Sequence, residues 1–175
     1  MNSGHSGKRT YTEPAEAMKM GMRRLAKGVA VITTIDQQGT AHAMTASAVT
    51  SLSDAPASLI ICVNKTASLS PYLQAGAGFC VNVLAEDMDD IANLCAGKEK
   101  GSARFALGDW QMHPSNELPF INEALACFFC ASDRVADYGT HIICIGKISE
   151  VITFGDDRVP LVYYNGQYCQ LAETA

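Results

Sequence analysis

The sequence lacks the features of a protein that crosses a membrane or binds a nucleic acid. It has no uncharged apolar run of about 18 residues, which is the length that spans a bilayer as a helix. Its 13 Lys and Arg against 18 Asp and Glu give a net charge of −5, so it offers no basic surface for phosphate backbones or anionic lipids. We therefore expect no nucleic acid and no membrane as a partner.

The sequence also lacks the short motifs of the common nucleotide-binding and hydrolase folds. Gly76 and Gly78 lack a third glycine and precede a predicted strand, and neither a Walker A loop nor a G-x-S-x-G elbow is present. The four histidines, at positions 5, 42, 113 and 141, show no spacing typical of metal ligands, so we predict no metal site. Any bound nucleotide would therefore lie on a β scaffold.

A disulfide framework is not expected either. The seven cysteines are odd in number and most lie inside apolar runs, where a thiol behaves as a small hydrophobic group. Cys127 and Cys130 have C-x-x-C spacing, but positions i and i+3 of a strand point to opposite faces, so we predict core packing for both. The N-terminal segment has no apolar stretch of the signal-peptide kind, and we expect a reduced, cytoplasmic protein.

Length and composition favour a single domain. The 175 residues are 48% hydrophobic, which suffices for one core but not for two. Residues 1–11 are polar and are predicted to form a disordered tail, so the domain would cover 12–175. A helix is predicted from about Thr12 to Gly28, with Met18, Met22 and Leu25 at helical spacing.

The rest of the chain has a period typical of strands. Ser70 and Pro71 predict the N-cap and first turn of a short helix ending at Gly76, acidic residues predict a helix over 87–95, and 96–122 is predicted to be a long, functional loop. Tight turns and the lack of βαβ alternation indicate a mainly β, antiparallel barrel or sandwich. The predicted strands are 29–35, 42–53, 57–64, 78–84, 124–132, 140–154 and 161–171.

Two neighbouring segments carry the polar groups of a candidate ligand site. The stretch HAMTASAVTSLS (42–53) places five hydroxyls among small residues, which suits either a polar ligand close to the backbone or an ordinary outer strand. The loop after the next strand supplies Asn64, Lys65, Thr66 and Ser68, the cation and hydroxyls that a phosphate requires. His141 begins a later strand, and a lone histidine there is compatible with a structural or a catalytic role.

Several blocks, taken together and in order, resemble the flavin reductase-like family. They are GVAVITT (28–34), HAMTASAVTSLS with LIICVNKTAS (59–68), FCVNVLAEDM (79–88), YGTHIICIGKI (138–148) and PLVYYNGQY (160–168). The resemblance implies an FMN-binding, antiparallel Greek-key split barrel with a few flanking helices that forms a homodimer. It also implies that hydride passes from NADH or NADPH to FMN or FAD, and that reduced flavin is supplied to a separate oxygenase.

The resemblance assigns roles to particular residues of this sequence. His141 falls in the family's Gly-Asp-His position, which is associated with nicotinamide binding, although Thr140 stands in place of the Asp. The flavin ring and ribityl chain would lie against Thr45, Ala46 and Ser47, its phosphate against Asn64, Lys65 and Ser68, and further lining would come from Cys62, Val63, Phe105 and Tyr168.

Three other functions are compatible with the sequence. One is a reductase that keeps its flavin bound and reduces another acceptor. Another is a flavin-binding electron-transfer protein without a nicotinamide site, in which His141 would be structural. The last is a β-barrel interaction protein without any cofactor.

Overall fold

The computed structural model describes residues 11–155 and 157–171. All of the predicted N-terminal tail except Tyr11 therefore lies outside the described residues. The described residues form helices α1 (Pro14–Met22) and α2 (Asp89–Asn93) and twelve strands. The first six strands are β1 (Lys27–Gly28), β2 (Ala30–Ile35), β3 (Ala41–Ala46), β4 (Val49–Asp54), β5 (Ala57–Asn64) and β6 (Gly78–Val83). The others are β7 (Trp110–Met112), β8 (Pro119–Ile121), β9 (Ala126–Tyr138), β10 (His141–Thr153), β11 (Val162–Tyr164) and β12 (Gln167–Cys169).

Seven strands form one antiparallel sheet in the order β3-β2-β6-β9-β10-β5-β4. Strands β3 and β4 lie at opposite edges of this sheet, yet only Ser47 and Ala48 separate them in the chain. A connection this short requires the two edges to approach each other, so the sheet curls into a barrel. The predicted mainly β, antiparallel split barrel is confirmed.

The central strands β2 and β6 of the barrel sheet are buried on both faces, and each face of the sheet has its own apolar cluster. Ile32, Ile61 and Phe79 belong to the cluster inside the barrel, whereas Val31 and Phe129 belong to the cluster on its outer face. The alternation follows from the period of two along a strand. Strand β2 is accordingly buried at five of its six positions, since neither of its faces meets solvent.

The C-x-x-C pair divides between these two clusters, as predicted for a strand. Cys127 packs in the outer cluster and Cys130 in the inner one, and both are free thiols. Burial raises the pKa of Cys130 to about 12, so its reactive thiolate is scarce at neutral pH.

Three of the predicted strands were wrong in extent. The strand predicted over 124–132 is β9 (Ala126–Tyr138), which continues six residues further because it pairs with the long strand β10. Residues 42–53 are β3 and β4 rather than one strand, because the chain crosses from one sheet edge to the other at Ser47 and Ala48 while the sequence alternation continues. Residues 161–171 contain the β11–β12 hairpin, whose turn Asn165-Gly166 has φ values of 51° and 89°. An Asn-Gly pair between apolar residues is a strong hairpin signal.

The helical predictions also differ from the structure in detail. Helix α1 ends at Met22 instead of near Gly28. The predicted N-cap at Ser70 is wrong, because Ser70–Tyr72 is a single 3₁₀ turn with Leu69 at its N-cap. The predicted helix over 87–95 is confirmed in type as α2, which continues into a π-helical turn over Leu94–Lys98. The long segment 96–122 includes a 3₁₀ turn over Gly101–Phe105 and the small β7–β8 hairpin.

Candidate active site

A groove lies at the junction of β3 and β4. Thr45, Ala46, Ser47 and Tyr168, all predicted site residues, line a concavity of about 200 Å³ together with Val29, Ala96 and Tyr163. Ser47 also borders an open apolar cleft of about 540 Å³, on whose wall Cys62 lies. The fold therefore brings together residues from β3, β5 and β12 that are distant in sequence.

The side chains of this groove differ in how much they can offer a ligand. Thr45 donates its hydroxyl hydrogen to the Ala92 carbonyl at 2.6 Å, so it anchors α2 and keeps only acceptor capacity. Ala46 and Val63 point into the barrel and are 8% and 0% exposed, which restricts their contact with a ligand to backbone atoms. Ser47 is half-buried at the groove wall and is the side chain best placed to meet a ligand.

The exposed loop over 64–68 follows β5. Asn64 accepts hydrogen bonds from the Thr66 backbone N–H and hydroxyl, both at 2.9 Å, so its Oδ1 stabilises the loop itself. The Lys65 Nζ lies 3.4 Å from Asp137 Oδ1 in a solvent-exposed ion pair. Such pairs contribute little to stability, which leaves the ammonium group able to exchange partners.

His141 lies beside this loop because β10 pairs with β5 in a register that places His141 opposite Asn64. Its Nδ1 is 2.9 Å from the Thr140 hydroxyl, and the Thr140 carbonyl accepts a hydrogen bond from the Lys65 backbone N–H at 3.0 Å. The imidazole is exposed rather than packed in a core. A purely structural role therefore has little support in the local contacts.

Comparison with known proteins identifies the family. Residues 22–172 match the flavin reductase like domain. This chain belongs to that family. It is 38% identical over 151 residues to the reductase component of the FADH(2)-dependent resorcinol hydroxylase of a Rhizobium species, with 85% of this chain and 82% of that protein covered. It is 34% identical over 157 residues to the FMN reductase (NADH) RutF of Cronobacter turicensis, with 90% and 93% covered.

Solved structures show the same architecture. The NADH:FAD oxidoreductase SgcE6 of Streptomyces globisporus, in complex with NAD and FAD fragments, superposes with a TM-score of 0.86 at 25% identity, covering 97% of this chain and 99% of that one. The flavin reductase BorF, a component of a bacterial two-component tryptophan halogenase, superposes with a TM-score of 0.80 at 31% identity, covering 91% and 99%. The family and fold predicted from the sequence blocks are thus confirmed.

Two residues that the sequence did not single out lie next to the candidate site residues. Arg104, in the 3₁₀ turn, donates from Nη1 to the Ser68 hydroxyl at 3.1 Å. Tyr163 lines the groove and meets Tyr168 edge-to-face with ring centroids 5.5 Å apart. The position of Arg104 inside a long loop and that of Tyr163 inside the PLVYYNGQY block were the available signals.

Tyr168 keeps its phenol protonated in this groove. Burial, the neighbouring Tyr163, Asp89 and Cys95 all raise the pKa of its hydroxyl, in that order of importance. Phe105 packs on the outer core cluster, as Tyr168 does, but it meets Trp110 edge-to-face with ring centroids 4.7 Å apart and does not line the groove. Its predicted place at the ligand groove therefore remains a prediction.

A separate polar cavity of about 500 Å³ lies between residues 35–38 and 71–78, and none of the predicted site residues lines it.

Within 11–155 and 157–171, no group of three or more His, Cys, Asp or Glu side chains is arranged to hold a metal ion. Over the same ranges no helix has the length and apolarity needed to cross a bilayer.

Proposed function

We propose that the chain is an NAD(P)H:flavin oxidoreductase that reduces FMN or FAD and supplies the reduced flavin to a separate oxygenase. The observation that carries the proposal is the groove of residues 45–47 and Tyr168, which lies in a chain of the flavin reductase like domain family. The named relatives support it, because they are an NADH-dependent FMN reductase and the reductase component of a hydroxylase. We further propose that 12–175 is a single domain of a cytoplasmic protein.

The donor set of the site fits a flavin nucleotide. Residues 45–47 are small enough for a flat ring to approach the strand backbone, and Ser47 and Tyr168 supply hydroxyls beside it. The loop after β5 supplies Lys65 and Ser68 for a phosphate. Cys62 would line the flavin from the wall of the larger cleft. When bound, flavin and nicotinamide supply the hydride chemistry themselves.

The chain's own residues would bind and orient the two ligands. Asn64 shapes the phosphate loop through its bonds to Thr66, and Lys65 neutralises the phosphate charge. His141 would contact the nicotinamide, since it is exposed next to that loop on the paired strand. No acid–base pair is required, because the protein's task is to hold the reacting rings in register.

The proposed homodimer is supported by an uncovered apolar surface. Helix α1 has no buried residue, and its Met18 and Met22 are 61% and 44% exposed. Leu25, three residues after the helix, is 55% exposed. Met22 and Leu25 line the same apolar cleft as Val49 and Cys62. Apolar patches of this kind mark association sites. Because Ser47 lines both the apolar cleft and the flavin groove, a second copy of the chain that covers the cleft would also shield the groove.

A steady-state assay distinguishes the proposed enzyme from a reductase that keeps its flavin bound. NADH and NADPH oxidation are followed at a fixed, low protein concentration while free FMN, FAD or riboflavin is increased. We expect a rate that rises and saturates with free flavin in large excess over protein. A rate that needs a different acceptor and does not respond to free flavin would establish the bound-flavin alternative instead.

A further inference from the structure

Arg104 lies where the long loop before β7 meets the loop after β5. Its Nη1 donates to the Ser68 hydroxyl at 3.1 Å and also to the Ala43 carbonyl, at the free edge of β3. Its Nε donates to the Glu99 carbonyl at 2.9 Å. Three acceptors from three segments therefore hold one half-buried guanidinium group in a fixed orientation.

The acceptors around Arg104 are all neutral, being two backbone carbonyls and a hydroxyl. In the described part of the chain, Lys65, Arg134 and Arg158 each face a carboxylate, but no Asp or Glu forms an ion pair with Arg104. A guanidinium group stays charged at every physiological pH. A partly desolvated charge without a counter-charge is unfavourable, so this position favours an anion.

We propose that Arg104 is a phosphate-binding residue for the flavin, acting with Lys65 and Ser68. The proposal rests on the proposed function, since it takes the ligand to be a flavin nucleotide. Nη2 has no hydrogen-bond partner within 11–155 and 157–171 and is the donor left for a phosphate oxygen. Because the carbonyl contacts preorganise the group, little side-chain entropy is lost when the phosphate binds.

The consequence is a preference for phosphorylated flavins. FMN and riboflavin share the ring and the ribityl chain and differ in the phosphate, so their ratio of affinities isolates the contribution of the phosphate site. In the proposed site the phosphate is bound by the planar guanidinium group of Arg104, with its several N–H donors, and by the compact ammonium group of Lys65. The ratio should therefore fall when either residue loses its charge, while riboflavin binding stays nearly unchanged.

The test is the affinity of FMN and of riboflavin, measured by fluorescence quenching and by the Michaelis constants of the NADH assay. Arg104→Met should weaken FMN binding about ten- to a hundredfold, and riboflavin binding by less than about threefold. Inorganic phosphate should compete with FMN in the wild type and lose this effect in the variant. Arg134→Met removes the same charge from a side chain that is 82% exposed, and it should leave both flavins unaffected.

Other outcomes would overturn the proposal. Equal weakening of FMN and riboflavin would make Arg104 a purely structural clamp, and an unchanged ratio would place the phosphate elsewhere. If Arg104→Met does not fold, Arg104→Lys decides, since it keeps the charge but should still lose several-fold of the FMN preference with its planar guanidinium group. A wild-type protein that reduces both flavins without preference refutes this inference alone, whereas one that reduces no flavin refutes the proposed function.

Discussion

His141 and Thr45 show how the local surroundings of a side chain decide what it can do. Both were predicted to touch a ligand, but Thr45 uses its hydroxyl hydrogen to hold α2 against β3. His141 is exposed, and its Nδ1 lies 2.9 Å from the hydroxyl of the adjacent Thr140. A residue that contributes little to packing can be removed with little effect on the fold, so His141 is the cleaner subject for a kinetic test.

We expect His141→Ala to raise the Michaelis constant for NADH, or to lower the rate of hydride transfer, by about three- to tenfold. One neutral hydrogen bond to the ligand contributes about 0.5–1.5 kcal/mol, which is the basis of this range. Flavin affinity and melting temperature should be unchanged. The measurement is steady-state kinetics with flavin and NADH varied separately, together with a thermal melt.

Thr140→Val serves as the matched control for His141, since it removes the hydroxyl beside Nδ1 and leaves the imidazole in place. Its effect on NADH kinetics should be smaller than that of His141→Ala. A lower melting temperature with joint loss of flavin and NADH use in His141→Ala would instead show a structural histidine.

At the scale of elements, the junction between β3 and β4 both closes the barrel and forms the groove. Ser47 and Ala48 connect β3 at one edge of the sheet to β4 at the other edge, and the residues of this segment face in different directions. Ala46 belongs to the cluster inside the barrel, whereas Ser47 lies on the groove wall. Ser47 therefore tests the ligand groove, whereas Ala46, which borders the groove but packs inside the barrel, tests mainly the core.

We expect Ser47→Leu to abolish measurable flavin binding while the fold is retained, because the added side chain occupies the groove. Ala46→Leu should behave differently, since it inserts bulk into a packed barrel and should lower the free energy of unfolding by about 1–3 kcal/mol. Fluorescence quenching by flavin and chemical denaturation distinguish the two effects. Wild-type flavin affinity in a folded Ser47→Leu protein would remove residues 45–47 from the site.

At the scale of the whole molecule, one side of the barrel remains uncovered in the single chain. Helix α1 lies on the protein without burying any of its residues. Met22 at its end and Leu25 just after it line a cleft that also includes Ser47. Core-type side chains exposed next to a ligand groove are explained if a second copy covers both. Flavin affinity and oligomeric state are then linked.

We expect Leu25→Asp to convert the proposed homodimer into a monomer and to weaken flavin binding at the same time. A carboxylate buried in an apolar interface without a partner is strongly unfavourable. Mass is measured by light scattering after size-exclusion chromatography, at the protein concentrations used for binding. Met112→Asp is the control, because Met112 is 53% exposed on β7 and does not line the cleft.

The dimer proposal is contradicted in two ways. A wild-type protein that is monomeric at micromolar concentration has no such interface. A Leu25→Asp protein that stays dimeric places the interface elsewhere on the surface.

Local patterns determined most of the secondary structure and the family of this chain. Alternating apolar residues with β-branched side chains predicted β2, β5, β6, β9 and β10, because a strand with one or two buried faces needs that period. The sequence blocks around residues 42–53, 59–68 and 138–148 predicted the family. The sequence after β5 also predicted a loop that carries a cation, and Lys65 is exposed there. These features depend on neighbours in the chain, so the sequence alone expresses them.

Tertiary structure decided which of these residues meet and which way they face. Nothing near Arg104 in the sequence indicates that it contacts Ser68, 36 residues away, or that its acceptors would all be neutral. The break between β3 and β4 was equally hidden, since alternation continues through it while the two halves pair at opposite sheet edges. Closure of the barrel, the commitment of Thr45 to α2 and the inward direction of Val63 arise from packing between distant segments. These features are stabilised by the free energy of packing summed over the whole molecule, so no short stretch of sequence can predict them.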